Sequence, residues 1–468
     1  MKVLFCGIIL FFSFAAINAQ QKRMITAKVN EQVELMSIVA RLADYGEYVN
    51  NQFKAYAEDV DGHFGKHKNH ELIQFARKIR QSNGIGFERV MAMAVHLKSN
   101  LTPKVPFTET VPNKGWGKKN AEEFVRLLQI FYKDAECSKF FSSHAEMYRI
   151  AEQRYQKVVD EIDIPWFERF YGERPGGTFH VYIGLLNDGG NYNADVISPK
   201  GRKGIFAIMG TSAADDKNLP VFSAEADLPV VIHEFNHSFV NHLVDENPKP
   251  FELSCSTIHK LVAAKMSKLA YRSWQTALNE SLVRVGVIRY LFDHQSIENT
   301  NRKIIEEKAN GFVWMDELFV LLGTYDNNRL SFLRLRSFMP VLAGYHIDLA
   351  KRVEYKIIEF ESMKPKMVAI REFKNESQDV NSDIKQITFV FDKPMIGKGS
   401  IDYGKSREKG FPEFQKIVGY SDDSTKFTIQ VKLKPNWEYE FIVNGKGFTS
   451  KDGYPLQDYV VRFKTKTR

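Results

Sequence analysis

The chain has 468 residues, 44% of them hydrophobic and 26% charged, with a formal net charge of +8; it reads as globular and soluble, with room for two or three domains. The surplus charge is unevenly spread, since residues 366–468 carry 19 Lys and Arg against 14 Asp and Glu. No basic stripe of the kind that binds nucleic acid appears.

At the amino terminus MKVLFCGIILFFSFAAINA, residues 1–19, has a basic Lys2, an apolar run and a small residue, Ala19, before Gln20. That pattern is a secretory signal peptide with cleavage after Ala19, too short for an ordinary membrane helix. No other stretch could cross a bilayer, so a secreted or periplasmic mature chain without a transmembrane segment is expected. Cys6 lies inside the apolar run rather than after it, which argues against a lipid anchor. Its removal leaves Cys137 and Cys255 as the thiols of an exported protein, and sequence separation leaves open whether they pair.

Residues 27–60 carry apolar positions at three- and four-residue spacing and read as helical. His63, His67 and His70 follow in DGHFGKHKNHELI, where no acidic or cysteine partner has ligand spacing. They are read as a polar loop leading into a helix. Further helices are expected over residues 86–97, 120–133 and 140–161, with a loop rich in Pro and Gly, LTPKVPFTETVPNKGWG, between the first two. The chain to about residue 165 is therefore expected to be a helical layer. The texture then changes: residues 178–186 and 204–210 read as strands, rich in Val, Ile and aromatics and bounded by glycines.

The motif around which the chain is organised follows at once. In VVIHEFNHSFVN, His233, Glu234 and His237 form an H-E-x-x-H pattern. On a helix the two histidines lie about 40° apart around the axis and about 6 Å apart along it, so both imidazoles reach one ion. Glu234 flanks the same face, where its carboxylate can take a proton from water. Asp227 is expected to cap this helix and Pro229 to sit in its first turn. A polar trio on so apolar a helix is costly unless paired or bound to metal.

A catalytic zinc takes three protein ligands and keeps one position for water. The position ten residues after His233 is Leu243, so a third histidine in that register is missing. Downstream, residues 275–294 read as a helix whose internal carboxylate is Glu280, set among Leu278, Leu282, Val283 and Val285. Such a carboxylate calls for a cation: a metal, or Arg284 one turn later as an i,i+4 pair.

VELMSIVARLADYGEY, DVDGHFGKHKNH, FERVMAMAVHL, the strand running into GGNYNADV, HEFNHSFVN and ALNESLVR, over about residues 30–360, resemble an uncharacterised family of exported bacterial metallopeptidases. More broadly the chain looks like a gluzincin, in which a Glu on a second helix completes the H-E-x-x-H site. The resemblance implies His233, His237 and Glu280 as zinc ligands and Glu234 as general base. In familiar gluzincins an Asp four residues after the ligand Glu orients a histidine; here that position is Arg284, so the outer support is built differently. Asn241, Arg284 and Tyr290 are candidates for that support, and Tyr192, Tyr271 and Tyr290 for the group that steadies a developing oxyanion.

Residues 304–361 read as more helix, and Pro365 in MKPKMV marks a boundary. Beyond it the hydrophobic period becomes two, with six or seven short strands expected in a β-sandwich. FVFDKPM, LKPNWEYEFIV and DGYPLQDYVVRFKT resemble bacterial Ig-like modules appended to exported enzymes. The expected organisation is α+β: a signal peptide over 1–19, a mostly helical zincin-like domain with a small sheet over 20–364, and an all-β Ig-like domain over 365–468. The expected activity is zinc-dependent hydrolysis of a protein or peptide substrate, with envelope or glycan attachment through the last domain. The alternative is a non-catalytic, zinc-stabilised surface protein that uses the Ig-like domain for recognition.

Overall fold

A computed structural model describes residues 25–467; the expected signal peptide over 1–19, with its expected cleavage site and Cys6, lies outside the described residues. The fold is α+β, with helices through its first three quarters and an all-β region at its end. It divides into two compact units, Met1–Phe239 and Val240–Arg468. The division falls inside one continuous helix, Ala224–Glu246, called the motif helix below.

In the first unit a four-stranded sheet is built from β1 (Ala27–Val29), β2 (Thr178–Gly184), β3 (Tyr192–Ile197) and β4 (Lys203–Gly210), in the order β1-β2-β4-β3. β1, β2 and β4 are parallel, while β3 runs antiparallel to β4 at the edge. Two of these strands were not expected. β1 is three residues long and pairs Ala27 with Val181 across the chain, so residues 27–60 begin with a strand rather than a helix. β3 is short, and its Asn193 and Asp195 hide the apolar alternation of Tyr192, Ala194 and Val196.

The helical layer is more broken than its periodicity suggests. Residues 27–60 hold helices Glu31–Leu42 and Gly46–Val49 and the start of Lys54–Phe64. The expected helix over 140–161 is two, Cys137–Ser143 and Ala145–Val159, broken at His144. That ring donates from Nδ1 to the Phe140 carbonyl at 2.8 Å, while the His144 amide bonds the Phe141 carbonyl instead. His63 lies in a helix and its ring meets the Ala135 carbonyl at 2.9 Å, His67 lies in a 3-10 turn, and His70 caps helix Glu71–Asn83 by accepting from the Leu72 amide. The polar loop expected there is thus shortened to a few residues between two helices, and it leads into the second of them at His70 as expected.

The second unit opens with the rest of the motif helix and continues through helices Lys249–Lys268, Trp274–His294, Ile297–Ala309, Met315–Asn327 and Leu335–Met363. The last ends just before Pro365, and the β region starts at β5 (Met367–Ile370). Eight more strands follow: β6 (Gln386–Phe391), β7 (Met395–Ile396), β8 (Ile401–Tyr403), β9 (Glu413–Tyr420), β10 (Lys426–Lys432), β11 (Glu438–Val443), β12 (Thr449–Ser450) and β13 (Tyr459–Lys464). They form a four-stranded sheet β5-β6-β10-β9, a three-stranded sheet β13-β11-β8 and the pair β12-β7. Phe389 and Phe427 of the first sheet and Phe441 and Val461 of the second belong to one buried cluster, so the two sheets close over a shared core. At its edge β9 exposes Phe414, Ile417 and Val418, and its pairing with β10 shifts register twice, at Thr428/Ile429 and Gln430/Val431.

Candidate metal centre

The motif helix starts earlier than expected. The Ser223 hydroxyl accepts from the Ala226 amide at 3.2 Å, and the Asp227 carboxylate accepts from the Ser223 amide at 2.6 Å. Ser223 is therefore the cap, Asp227 returns the bond from inside the first turns, and Pro229 lies within the helix rather than in its opening turn. Ser and Asp both satisfy helix-start chemistry, and only the fold decides between them.

Two aromatic residues on this helix orient its histidines. The Phe235 ring stacks on Phe179 of β2 at 4.0 Å, and the Phe239 ring stacks on Tyr171 at 4.4 Å. His233 and His237 each precede one of these anchors by two residues, about 200° around a helix, so burying the phenylalanines turns the imidazoles the other way. β3 is tied to the same segment: the Asn193 side chain donates to the Glu234 carbonyl at 3.1 Å. The antiparallel edge strand and the H-E-x-x-H helix are thus neighbours in one unit.

The two histidines are half-buried, with their Nε2 atoms 3.2 Å apart and rings nearly perpendicular. Tetrahedral ligands at the zinc–nitrogen distance are separated by about 3.3 Å, so the spacing suits a shared ion. Glu234 is buried beside them. Among the described residues, His233, His237 and Glu280 make up a group in which each offers one ligand atom and these atoms lie within 4.8 Å of one another. Two imidazole nitrogens and one carboxylate oxygen are a donor set that fits zinc, in the number a catalytic site uses.

Glu280 is held on helix Trp274–His294, which Ser273 caps by accepting from the Thr276 amide. Its surroundings in the second unit are polar and dense. Arg284 Nε lies 3.5 Å from a Glu280 oxygen, long for a hydrogen bond, while Arg284 Nη1 donates to Glu307 at 2.5 Å and Nη2 to the Tyr271 hydroxyl at 2.8 Å. Glu307 also takes Lys303 at 3.1 Å and the Asn310 amide at 3.1 Å. Burial works against the Arg284 cation, yet Glu307, Tyr271 and Glu280 together hold its proton more tightly than usual. Burial likewise pushes the Glu307 carboxyl up, and Arg284 and Lys303 more than reverse it. The i,i+4 pair that the sequence offered as a rival to a metal is therefore the weaker of the two carboxylate contacts Arg284 makes. Glu307 has no counterpart in the sequence reading, because IENTNRKIIEEKA looks like a solvated helix and shows nothing of its burial.

The tyrosine candidates separate. Tyr271 is engaged by Arg284, and its phenol is pushed up by burial and then by Glu280. Tyr290 is buried and stacks on His294 at 4.1 Å. Tyr192, on β3, is pushed up by burial, bonds Tyr48, and has the Glu234 charge among its further causes. Asn241 follows His237 by one turn and is half-buried. Cys137 and Cys255 are both free and buried, and burial raises each thiol to about 12.

Residues 25–344 match a protein family described as a domain of unknown function, DUF4932. The chain belongs to that family. The DUF4932 region takes in the sheet, the motif helix, Glu280 and Glu307 and stops short of the β region. No curated protein is significantly similar. Solved structures with local likeness include a crystal structure of the S-layer protein SbsC (12% identity, TM-score 0.17) and a structure of its domains 1–6 (13%, TM-score 0.18); each aligns with 84% of this chain and 46% of its own length. A crystal structure of the N-terminal part of the bacterial S-layer protein SbsC aligns with 84% of this chain and 79% of its own, at 11% identity and a TM-score of 0.17. The DUF4932 chain thus spans less than half the length of the first two, at scores that do not describe a shared fold. Among its described residues no helix is long and apolar enough to cross a membrane.

Proposed function

We propose that this DUF4932 protein is an exported zinc metallopeptidase of gluzincin type, with His233, His237 and Glu280 as ligands, Glu234 as general base and an Ig-like module at its end. The grouping of those three ligand atoms within 4.8 Å carries the reading. An antiparallel edge strand beside the H-E-x-x-H helix supports it, because zincins use such a strand to align an extended substrate backbone.

Zinc bound by these residues would polarise a scissile carbonyl and make water a stronger acid. The Glu234 carboxylate takes a proton from the water that attacks the carbonyl carbon. As the C–N bond breaks, it returns that proton to the leaving nitrogen, so the carboxylate is regenerated. Tyr192, on the edge strand whose Asn193 bonds the motif helix, is the candidate phenol to donate to charge developing on the carbonyl oxygen. Asn241, one turn beyond His237, is the candidate to steady that histidine.

The test pairs elemental analysis with cleavage of a mixed peptide library. The wild-type chain is expected to carry zinc and cleave peptides, and Glu234→Gln to keep the zinc while losing at least about 100-fold in rate. Undiminished cleavage by Glu234→Gln discards the general base; a wild-type chain that takes up no metal discards the reading altogether.

A further inference from the structure

We propose that Glu307 is a positioning residue that keeps Glu280 available to the metal, by taking the Arg284 guanidinium that would otherwise claim it. This inference rests on the metallopeptidase reading and deepens it. Arg284 lies one turn after Glu280 on the same helix, and its Nε is already 3.5 Å from a Glu280 oxygen. A guanidinium and a divalent cation compete for one carboxylate and repel each other, and at a buried site that repulsion is poorly screened. The arrangement is consistent with metal binding only if another anion balances the guanidinium.

Glu307 is that anion. It is 1% exposed, comes from helix Ile297–Ala309, and meets Arg284 Nη1 at 2.5 Å, a full 1 Å closer than Glu280 comes to the same side chain. The remaining fork nitrogen is occupied by the Tyr271 hydroxyl, and the Phe312 ring lies under the guanidinium carbon at 5.2 Å. These contacts fix the guanidinium toward Glu307. Lys303 and Asn310 in turn fix Glu307, each at 3.1 Å, so Glu307 keeps cationic company even without Arg284. The pair is therefore unequal in what each loss exposes. Losing Glu307 leaves a buried guanidinium with Glu280 as its nearest carboxylate. Losing Arg284 leaves Glu307 with Lys303 and removes a competitor from Glu280.

The measurement is zinc affinity of the full mature chain, by competition with a chromophoric chelator, alongside thermal unfolding of the metal-free proteins. Glu307→Gln is expected to bind zinc about 10–100-fold more weakly. Arg284→Gln, which breaks the same ion pair, is expected to bind no more weakly than the wild type, and the double variant to recover to within a few-fold of it. Equal losses in the two single variants would make the pair merely structural and overturn the proposal, as would wild-type affinity in Glu307→Gln. Should Glu307→Gln fail to fold, the double variant decides: near wild-type affinity supports the proposal and a loss as large as 10-fold overturns it. A wild-type chain that binds no zinc removes the metal reading itself, whereas wild-type binding with an indifferent Glu307→Gln removes only this step.

Discussion

Two buried carboxyls, one in each unit, show how neighbours rather than depth decide charge. Glu34, in helix Glu31–Leu42, is 0% exposed, accepts from the Leu185 amide at 2.7 Å and bonds the Tyr56 phenol, which itself shares a 2.6 Å bond with Tyr148. Burial dominates these neutral partners and raises its carboxyl to about 8. Glu307 is as deeply buried, but Arg284 and Lys303 bring its carboxyl below the usual range. The first region stores a proton and the second stores a charge. In the proposed function only the second kind of site can steer a metal ligand, because it alone supplies a lasting field.

Glu307→Ala attacks that contrast hardest. Stripping a buried guanidinium of its closest anion should cost about 3–5 kcal/mol in a denaturant melt of the metal-free chain. A loss under about 1 kcal/mol would mean that the cluster relaxes to water and that the two carboxyls differ less than their partners suggest.

The pH response should separate the regions next. The folded chain holds the Glu34 proton up to about pH 8, whereas the unfolded chain releases it near 4.5. Between those values the native state binds more protons, so stability falls as pH rises through that window and levels off above it. Glu34→Gln copies the protonated form and should flatten this slope, leaving the variant at least as stable as the wild type at pH 8. Melting temperatures at pH 5, 7 and 9 test this; parallel curves for the two proteins would show Glu34 to be ionised in the native state.

The smallest effect is expected at the rim of the charged cluster. Lys303 contacts both Glu306 and Glu307 but keeps 21% of its side chain in water, and Lys303→Met should cost about 1 kcal/mol, between a surface and a buried pair. A loss equal to that of Glu307→Ala would make Lys303, not Arg284, the principal partner.

How much of this was legible beforehand follows from the range of each interaction. The motif helix and Glu280 stand out because their signals are local: histidines four apart, and a carboxylate alone on an apolar helix. The β region is legible for the same reason, since strict alternation such as ITFVF has a period of two wherever it occurs. Pairing at long range is not. β1 is three residues that make sense only beside Val181–Ile183, about 150 positions away, and β3 is marked by an asparagine and an aspartate that suit a loop as well as an edge strand. Glu307 was invisible because a charged residue in a charged helix looks solvated until its partners are known. Helix ends failed more modestly, at Ser223 and His144, where a side chain bonds the backbone in place of the helical ladder.

The outer rim of β9 carries a further consequence. Three exposed apolar side chains on an open strand would invite a second molecule to add itself as the next strand, and from there a stack. The two register shifts against β10 kink that margin, while Glu413 and Lys416 scatter charge along it, so it gives an arriving chain no straight template. At high local concentration the chain can in this way keep a greasy border without condensing into fibres.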